Sequence, residues 1–230
     1  MTKKLWIVAV VSLVLSLPAV ALGSDQEDDA NRIQRAATVF QEIMSTPDKG
    51  IPNEILESAK CIAIIPGEKK FALVFGGSYG RGLATCRIGP GWTAPIFLAV
   101  EGGSVGYQIG GSSTDLVMIF TNEHALQNLL RDKFKLGADA TVAAGPVGRN
   151  ASAGTDVTLH AEILSYSRAR GVFAGISLDG ATVRADRSGD HAMYGPNVTR
   201  EQILHGQVPA PPSAQPLLGE ISHYATEARG

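Results

Sequence analysis

The sequence predicts an α+β fold: a glycine-rich, strongly curved and mostly antiparallel β-sheet or partial barrel, with N-terminal helices and a covering helix. Three observations support this class. Apolar runs of strand length follow one another between Cys61 and Phe120, separated by glycine-rich breaks. Apolar residues recur at helical spacing before and after this region, at 33–43 and 125–130. Glycine accounts for 26 of the 230 residues, and glycine inside a strand lets a sheet bend.

The elements are predicted from local spacing, in chain order. A first helix includes Ile33 and Ile43, and a short second helix begins at Asn53. Residues 123–134 return to helical spacing, with Asn122 as the N-cap. Between these helices, strands are predicted in the runs CIAIIP, FALVFGG, APIFLAVEGG, VGYQIGG and TDLVMIF.

The last third of the chain adds further strands and helices. The alternating segment VTLHAEILSY is typical of a half-buried strand. A two-residue turn at Asp179-Gly180 predicts a hairpin that pairs Ile176 with Val183. Helical segments are expected at 199–204 and at 217–225.

The N-terminus has the pattern of a secretory signal peptide. Lys3 and Lys4 precede an apolar run over 5–17, and Ala19-Val20-Ala21 supplies a small-x-small cleavage site. The alternative is a retained membrane anchor, but the run barely reaches the roughly 20 residues that a bilayer span needs. We therefore expect residues 1–23 to be removed and the mature protein to be periplasmic or secreted.

Composition separates the two ends of the mature chain from its middle. Residues 24–31 predict an acidic, flexible start, and residues 207–230 predict a proline-rich linker with a short C-terminal helix. Loss of the signal peptide reduces the 20 basic residues to 18, against 22 acidic ones. This balance argues against wholesale nucleic-acid binding, which depends on neutralising phosphates.

The cysteines leave two alternatives open. Cys61 and Cys86 are the only two in the chain. If the chain turns at 67–70, antiparallel pairing places Cys61 opposite Gly76 and leaves Cys86 beyond the hairpin. A disulfide then needs a third strand or a bend, although an oxidising compartment would allow it. The pair is either a disulfide or two buried thiols.

Two Gly-x-Ser-x-Gly segments, at Ser78 and Ser104, match the pattern that presents a nucleophilic serine in α/β-hydrolases. That chemistry needs a strand, a sharp turn and then a helix. Both serines are instead followed by glycine-broken, strand-like sequence, so we expect no catalysis by either and no enzyme. The chain has neither a Cys-x-x-Cys spacing nor a phosphate-binding loop, and no metal or cofactor is expected.

Basic residues near predicted turns and strand ends are candidates for a binding site. If the strand ends gather, several would share one rim and could bind an anionic headgroup, for which arginine forks are suited. The alternative is a scatter of solubilising charges. Lys133 and Lys135 are further basic residues of this kind that we do not include in the site. The candidates are Lys69, Lys70, Arg81, Arg87, Arg149, Arg168 and Arg170.

Five segments resemble the SYLF domain family, the lipid-binding domain also found in a yeast actin-patch protein. The likeness extends from Arg32 to Leu204, so we expect residues 32–206 to form one SYLF-like domain. Bacterial members of the family look like exported single-domain proteins of this kind. The segments, in the family's order, are CIAIIPG, GGSYGRGLATCR, GWTAPIFLAVEGGSVGYQIGGSSTDLVMIF, AGPVGR and AEILSYSRARGVFAGISLDG.

The resemblance implies a non-enzymatic module that binds phospholipids, with phosphoinositides as the ligands of eukaryotic members. We therefore expect the chain to bind anionic phospholipid or a membrane surface. Actin binding, which the resemblance implies from the fungal branch, is not expected of an exported protein. Two alternatives remain: a structural or scaffolding envelope protein that binds another protein and, least favoured, a serine hydrolase.

Overall fold

The computed structural model describes residues 21–45, 50–72, 76–104, 112–148, 160–169 and 172–227. Four of the sequence predictions fall outside this part of the chain. They concern the signal peptide up to residue 20, the strand VGYQIGG at 105–111, the candidates Arg149 and Arg170, and the first residues of VTLHAEILSY.

A ten-stranded sheet forms the centre of the protein. The described strand pairs are all antiparallel except β7 with β8. Helices precede and follow these strands along the chain. The mostly antiparallel sheet and the separate helices confirm the predicted α+β class. The strands are β1 (Cys61–Ala72), β2 (Gly76–Ile88), β3 (Gly91–Trp92), β4 (Ile96–Ser104), β5 (Ser112–Phe120), β6 (Lys133–Lys135), β7 (Val142–Ala144), β8 (Ile163–Ala169), β9 (Val172–Gly175) and β10 (Thr182–Ala185).

The order of the strands shows why the sheet must curve. Along its main path the order is β6-β10-β4-β2-β1-β5-β8-β7, so β6 and β7 lie at opposite ends. Eight strands side by side in a flat sheet would separate these ends by about 34 Å. Residues 136–141 connect them, and such a segment reaches only about 25 Å when fully extended. The sheet therefore curls into a half-barrel, as predicted.

Helices precede, interrupt and follow the strands. They are α1 (Ala21–Met44), α2 (Asn53–Ser58), α3 (Glu123–Asn128), α4 (Arg187–Tyr194), α5 (Arg200–Leu204) and α6 (Gln215–Glu227), with a 3₁₀ turn at Pro212–Ala214 before the last. The predicted N-cap of α3 is confirmed, since Oδ1 of Asn122 accepts a hydrogen bond from the N–H of Ala125 at 2.8 Å. Within the described residues, no helix combines the length and apolar character that a bilayer crossing requires.

Helix α1 begins at Ala21, so the acidic residues 24–31, which we expected to be flexible, are helical. Asp29 explains part of this difference. It is 2% exposed and pairs with Arg32 one turn later, at 2.7 Å between Oδ1 and NH2. Its burial attaches the first turns of α1 to the domain.

Two apolar layers lie on the two faces of the sheet. Helices α1, α2 and α6 cover one face, where Phe40, Leu56 and Ile221 pack against strand residues such as Ile62 and Leu83. Each large apolar side chain buried in this way stabilises the fold by about 1.5–3 kcal/mol. The layer on the opposite face includes Leu98, Met118, Phe120, Phe134 and Val183.

The hairpin of β1 and β2 turns later than predicted. The two strands stay paired through Ala72 and Gly76, so the chain does not reverse at 67–70. Pro66 and Gly67 instead form a β-bulge in β1, which stays paired with both β2 and β5 beyond it. Proline has no N–H for the ladder, and Gly67 has a φ of +69°, which favours glycine.

The register that follows from this turn places Cys61 directly opposite Cys86. The two sulfurs form a disulfide, and both cysteines are fully buried. The expectation that Cys61 would face Gly76 was wrong, because it rested on the misplaced turn.

A close approach of two strands explains one glycine of the GGSYGRG segment. A Cβ on Gly82 would lie 2.3 Å from the carbonyl oxygen of Ile64, in the strand next to it. Only a residue without a side chain fits there, so β1 and β2 can come together beside the bulge.

The predicted turn at 179–180 is present, with Gly180 at a φ of +82°, but the predicted hairpin is wrong. Strand β9 pairs with β8, whereas β10 pairs with β4 and β6. Val183 in β10 lies opposite Val100 on one side and Phe134 on the other, and all three are buried. Burial of Val183 between apolar residues of β4 and β6 therefore decides the pairing of β10, and the turn at 179–180 does not.

Candidate functional site

One face of the sheet carries exposed polar side chains where β2, β4, β10 and β6 lie side by side. Opposite residues in antiparallel strands point to the same face, so they form cross-strand rows. We call the two rows the basic sheet face; within them Ala99 is buried, at 7% exposure. The first row is Tyr79, Glu101, Thr182 and Lys135, and the second is Arg81, Ala99, Arg184 and Lys133.

Alternation along the edge strands explains why these side chains face outwards. Phe134 in β6 and Val183 in β10 are buried in the same apolar layer. Because side chains alternate along a strand, Lys133, Lys135 and Arg184 face the other way. Both lysines are exposed, and the Arg184 side chain is 55% exposed.

An open cavity of about 560 Å³ lies over one side of the basic sheet face. This space is large enough for a small polar group such as a lipid headgroup. The residues that line it are Glu101, Lys133, Phe134, Lys135, Asp139, Thr182 and Arg184.

The four cationic side chains of the basic sheet face differ in whether they form ion pairs with carboxylates of the protein. NH1 of Arg184 donates to Oε1 of Glu101 at 3.0 Å, and NH2 of Arg81 donates to Oδ2 of Asp186 at 2.7 Å. Lys133 and Lys135 form no ion pair with the residues that the structure describes. Their charges are therefore available to a ligand, since exposed ammonium groups need no protein partner.

A buried ion network anchors Arg81. Oδ2 of Asp186 accepts hydrogen bonds from Arg81 and also from NH1 of Arg32, at 3.1 Å. Arg32 in turn pairs with Asp29, and its guanidinium lies 5.2 Å from the ring centre of Phe97. The network joins α1 to β2 and to the start of α4.

The pKa values of the two carboxyls in this network shift in opposite directions. Burial raises the pKa of Asp29, in spite of the neighbouring charge of Arg32. Burial also acts to raise the pKa of Asp186, but hydrogen bonds from Ser188 and Arg81 outweigh it and hold that pKa below its ordinary value of 3.8. Asp186 is therefore an ionised anchor for Arg81.

We expect Asp186→Asn to lower the free energy of unfolding at pH 7 by about 1.5–3 kcal/mol, because it weakens hydrogen bonds to charged groups. The pKa of Asp186 is lower in the folded than in the unfolded chain. Its ionised form therefore stabilises the fold above about pH 4, and this contribution disappears as the pH falls further. Urea unfolding should show a larger difference between variant and wild type at pH 7 than at pH 3. An equal difference at both pH values would contradict the assignment.

The first candidates from the sequence lie on or beside the basic sheet face. Arg81 belongs to it. Lys69 occupies the position in β1 opposite Tyr79, a member of the first row. Lys70 follows at the position opposite Ser78.

Arg87 is placed elsewhere, at the C-terminal end of α2. Its Nε donates to the carbonyl of Ala59 at 3.2 Å and its NH2 to that of Leu56 at 2.9 Å. Its guanidinium also lies 4.6 Å from the ring centre of Trp92. These contacts join α2 to the sheet, because carbonyls at a helix end need donors.

Arg168 lies in a separate groove of about 900 Å³ between α1 and the strands β1, β5 and β8. Its Nε and NH2 both donate to Oδ2 of Asp115, at 3.0 and 2.7 Å, and its NH1 pairs with Glu42. The three described arginine candidates, Arg81, Arg87 and Arg168, therefore do not share one rim.

Lys133, Lys135 and Arg184 are the members of the basic sheet face that we did not include among the candidates. We predicted from the sequence that the helix extends to Phe134, whereas α3 ends at Asn128. The alternation Lys-Phe-Lys around a single apolar residue was the available signal for a strand with two outward lysines.

The serine motifs lie within strands. Ser78 is inside β2, where it pairs with Lys70 on one side and Gly102 on the other, and Ser104 is the last residue of β4. A nucleophile elbow requires a sharp turn from strand to helix at the serine. Ser78 does not have this setting, since β2 continues to Ile88.

Comparison with known proteins identifies relatives over most of the chain. The family model described as "Ysc84: Las17-binding protein actin regulator" matches residues 101–224. The SH3 domain-containing protein PJ696.02 of Schizosaccharomyces pombe is 37% identical over 171 residues, which are 73% of this chain and 40% of the relative. Protein YSC84 of Saccharomyces cerevisiae is 35% identical over 175 residues, 74% of this chain and 37% of the relative.

A human relative extends the match further along the chain. The SH3 domain-containing YSC84-like protein 1 of Homo sapiens is 32% identical over 208 residues, which are 89% of this chain and 60% of the relative. The alignments thus span less than two thirds of each of these relatives. The chain belongs to the Ysc84 family, the SYLF domain family that its strand segments resemble.

Proposed function

We propose that this chain is a non-enzymatic protein that binds anionic phospholipid through the basic sheet face. The observation that carries the proposal is the pair Lys133 and Lys135, exposed and without ion-pair partners in the described part of the chain, beside the half-exposed Arg184. The family resemblance to lipid-binding SYLF domains supports the same function.

The chemistry of the face suits a membrane surface. Each basic residue close to an anionic bilayer adds about 1 kcal/mol of attraction. Tyr79 is 46% exposed on the same face, and an aromatic ring with a polar tip favours the interface between headgroups and water. The exposed side chains lie on neighbouring strands, so several can contact one surface together.

We expect the mature protein to sediment with vesicles that contain phosphatidylglycerol, cardiolipin or a phosphoinositide at low salt, and to stay in the supernatant with phosphatidylcholine. The paired change Lys133→Glu and Lys135→Glu should weaken sedimentation at least about tenfold, because it removes two attractive charges and adds two repulsive ones. Higher ionic strength should weaken wild-type binding as well, because salt screens exposed charges.

The matched control is the paired change Lys60→Glu and Arg35→Glu, which reverses two exposed charges outside the basic sheet face. This control should sediment almost like the wild type. A wild-type protein that stays in the supernatant with every anionic vesicle would refute the function. Equal losses in both paired variants would refute the assignment of the face.

Export to the periplasm or the cell exterior belongs to the same proposal. The pattern of the first 23 residues supports it, and so does the Cys61–Cys86 disulfide, because disulfides persist in oxidising compartments. Mass spectrometry of the protein from its native source should find a chain that starts just after Ala21 or Gly23. A chain that retains residues 1–20 would contradict cleavage.

A protein partner is the second candidate, and the names of the relatives favour it. The family model is described as Las17-binding and as an actin regulator, and a relative of 34% identity is called LAS seventeen-binding protein 3. A pull-down that recovers a stoichiometric partner, together with protein that carries no lipid, would favour this candidate. Co-sedimentation with filamentous actin tests the actin activity directly.

A further inference from the structure

Ala99 lies between two arginines in the second row of the basic sheet face. Arg81 is opposite Ala99 on one neighbouring strand and Arg184 on the other. Ala99 is only 7% exposed, so the surface between the two arginines is covered. Of the two, Arg184 lines the open cavity, together with Lys133 and Lys135. Its guanidinium can bind an oxyanion there, since arginine forks match phosphate geometry.

Each arginine now pairs with a carboxylate of the same chain, but the two carboxylates are held differently. Asp186 is only 10% exposed and also accepts hydrogen bonds from Ser188 and the N–H of Gly189. It cannot leave Arg81 without breaking the cap of α4. Glu101 is 39% exposed, and within the described residues its side chain forms a hydrogen bond and an ion pair with Arg184 only.

We infer that Glu101 competes with the phosphate of the ligand for Arg184, in the open cavity that both residues line together with Lys133 and Lys135. This inference rests on the proposed function. Glu101 is held beside Arg184 by the pairing of β4 with β10, where it lies opposite Thr182. The carboxylate is therefore present whenever the cavity is empty, and a lipid phosphate must displace it from Arg184.

The size of the effect follows from the exposure of the pair. An exposed ion pair is worth about 0.2–1 kcal/mol, which corresponds to a change in affinity of up to about fivefold. Glu101 thus adjusts affinity and does not abolish binding. Asp186 does not compete in this way, because its partner Arg81 does not line the cavity.

The test is sedimentation of the mature protein with phosphatidylglycerol vesicles over a range of lipid concentrations. We expect Glu101→Gln to reduce the lipid concentration for half-maximal binding by about two- to fivefold. In the background Arg184→Gln, the same change at Glu101 should have much less effect, because the group for which it competes is absent.

The matched control is Asp132→Asn, which removes another exposed carboxylate that pairs with an arginine, Arg187, next to Lys133. If Asp132→Asn strengthens binding as much as Glu101→Gln, the gain is a general effect of charge and the inference is overturned. An unchanged affinity in Glu101→Gln overturns it as well, while vesicle binding by the wild type leaves the proposed function standing. Absence of binding in the wild type and in Glu101→Gln overturns both.

Discussion

Replacement of Asp190 by alanine is expected to lower the free energy of unfolding by about 3–5 kcal/mol, because it leaves a buried charge without its partner. The side chains of Asp190 and Arg200 are 3% and 5% exposed, and Oδ2 lies 2.6 Å from NH1. Oδ1 of Asp190 also accepts a hydrogen bond from the backbone N–H of Phe97, with 2.7 Å between nitrogen and oxygen. The substitution therefore removes the partner of a buried guanidinium and of a buried backbone donor, and urea unfolding followed by circular dichroism measures the loss.

The exposed pair between Asp132 and Arg187 supplies the control for this prediction. Its side chains are 73% and 60% exposed, so Asp132→Ala should cost less than about 1 kcal/mol. The combined change Asp190→Leu and Arg200→Met should recover part of the stability lost in Asp190→Ala, because no unpaired charge stays buried. A loss in Asp190→Ala no larger than that in Asp132→Ala would show that the buried pair does not hold α4 and α5 to β4.

Loss of the Cys61–Cys86 disulfide is expected to be the second large effect, at about 3–4 kcal/mol. The two cysteines are separated by 25 positions in the sequence, and the cross-link removes conformational freedom from the unfolded chain. The measurement is urea unfolding of the paired change Cys61→Ala and Cys86→Ala against the oxidised wild type.

Dithiothreitol provides the control for this second prediction. It should lower the stability of the wild type and leave the paired alanine variant unchanged. Both cysteines are fully buried, so reduction should be slow in native buffer and fast in urea. Rapid reduction of the folded protein, with no loss of stability, would contradict the structural role of the disulfide.

Local features of this fold were predictable from the sequence. The N-cap Asn122 could be predicted because its hydrogen bond involves only a residue three positions later. The structure confirms that Asn122 accepts this bond from the N–H of Ala125. The predicted helix near Thr199 is also confirmed, with a capping box between Thr199 and Gln202. The apolar positions Leu217 and Ile221 of the C-terminal helix are buried as their spacing indicated.

Pairing between strands was less predictable. The turn signal at 179–180 is real, but β10 pairs with β4 and β6 because Val183 fits between buried residues of those two strands. The bulge at Pro66 and Gly67 resembled a turn in the sequence. The turn predicted at 67–70 placed Cys61 opposite Gly76, ten positions before its actual partner Cys86, and for this reason the opposition of the two cysteines was missed.

The sequence by itself determined the α+β class, the glycine-rich curved sheet, most of the helices and the resemblance to the SYLF domain family. Only the tertiary structure decided which basic residues have charges available to a ligand. Arg81 meets a carboxylate 105 positions away in the chain and Arg168 one 53 positions away, whereas Lys133 and Lys135 meet none among the described residues. The physical reason is that helical spacing and capping depend on near neighbours in the sequence, whereas ion pairs and strand order depend on contacts that folding creates.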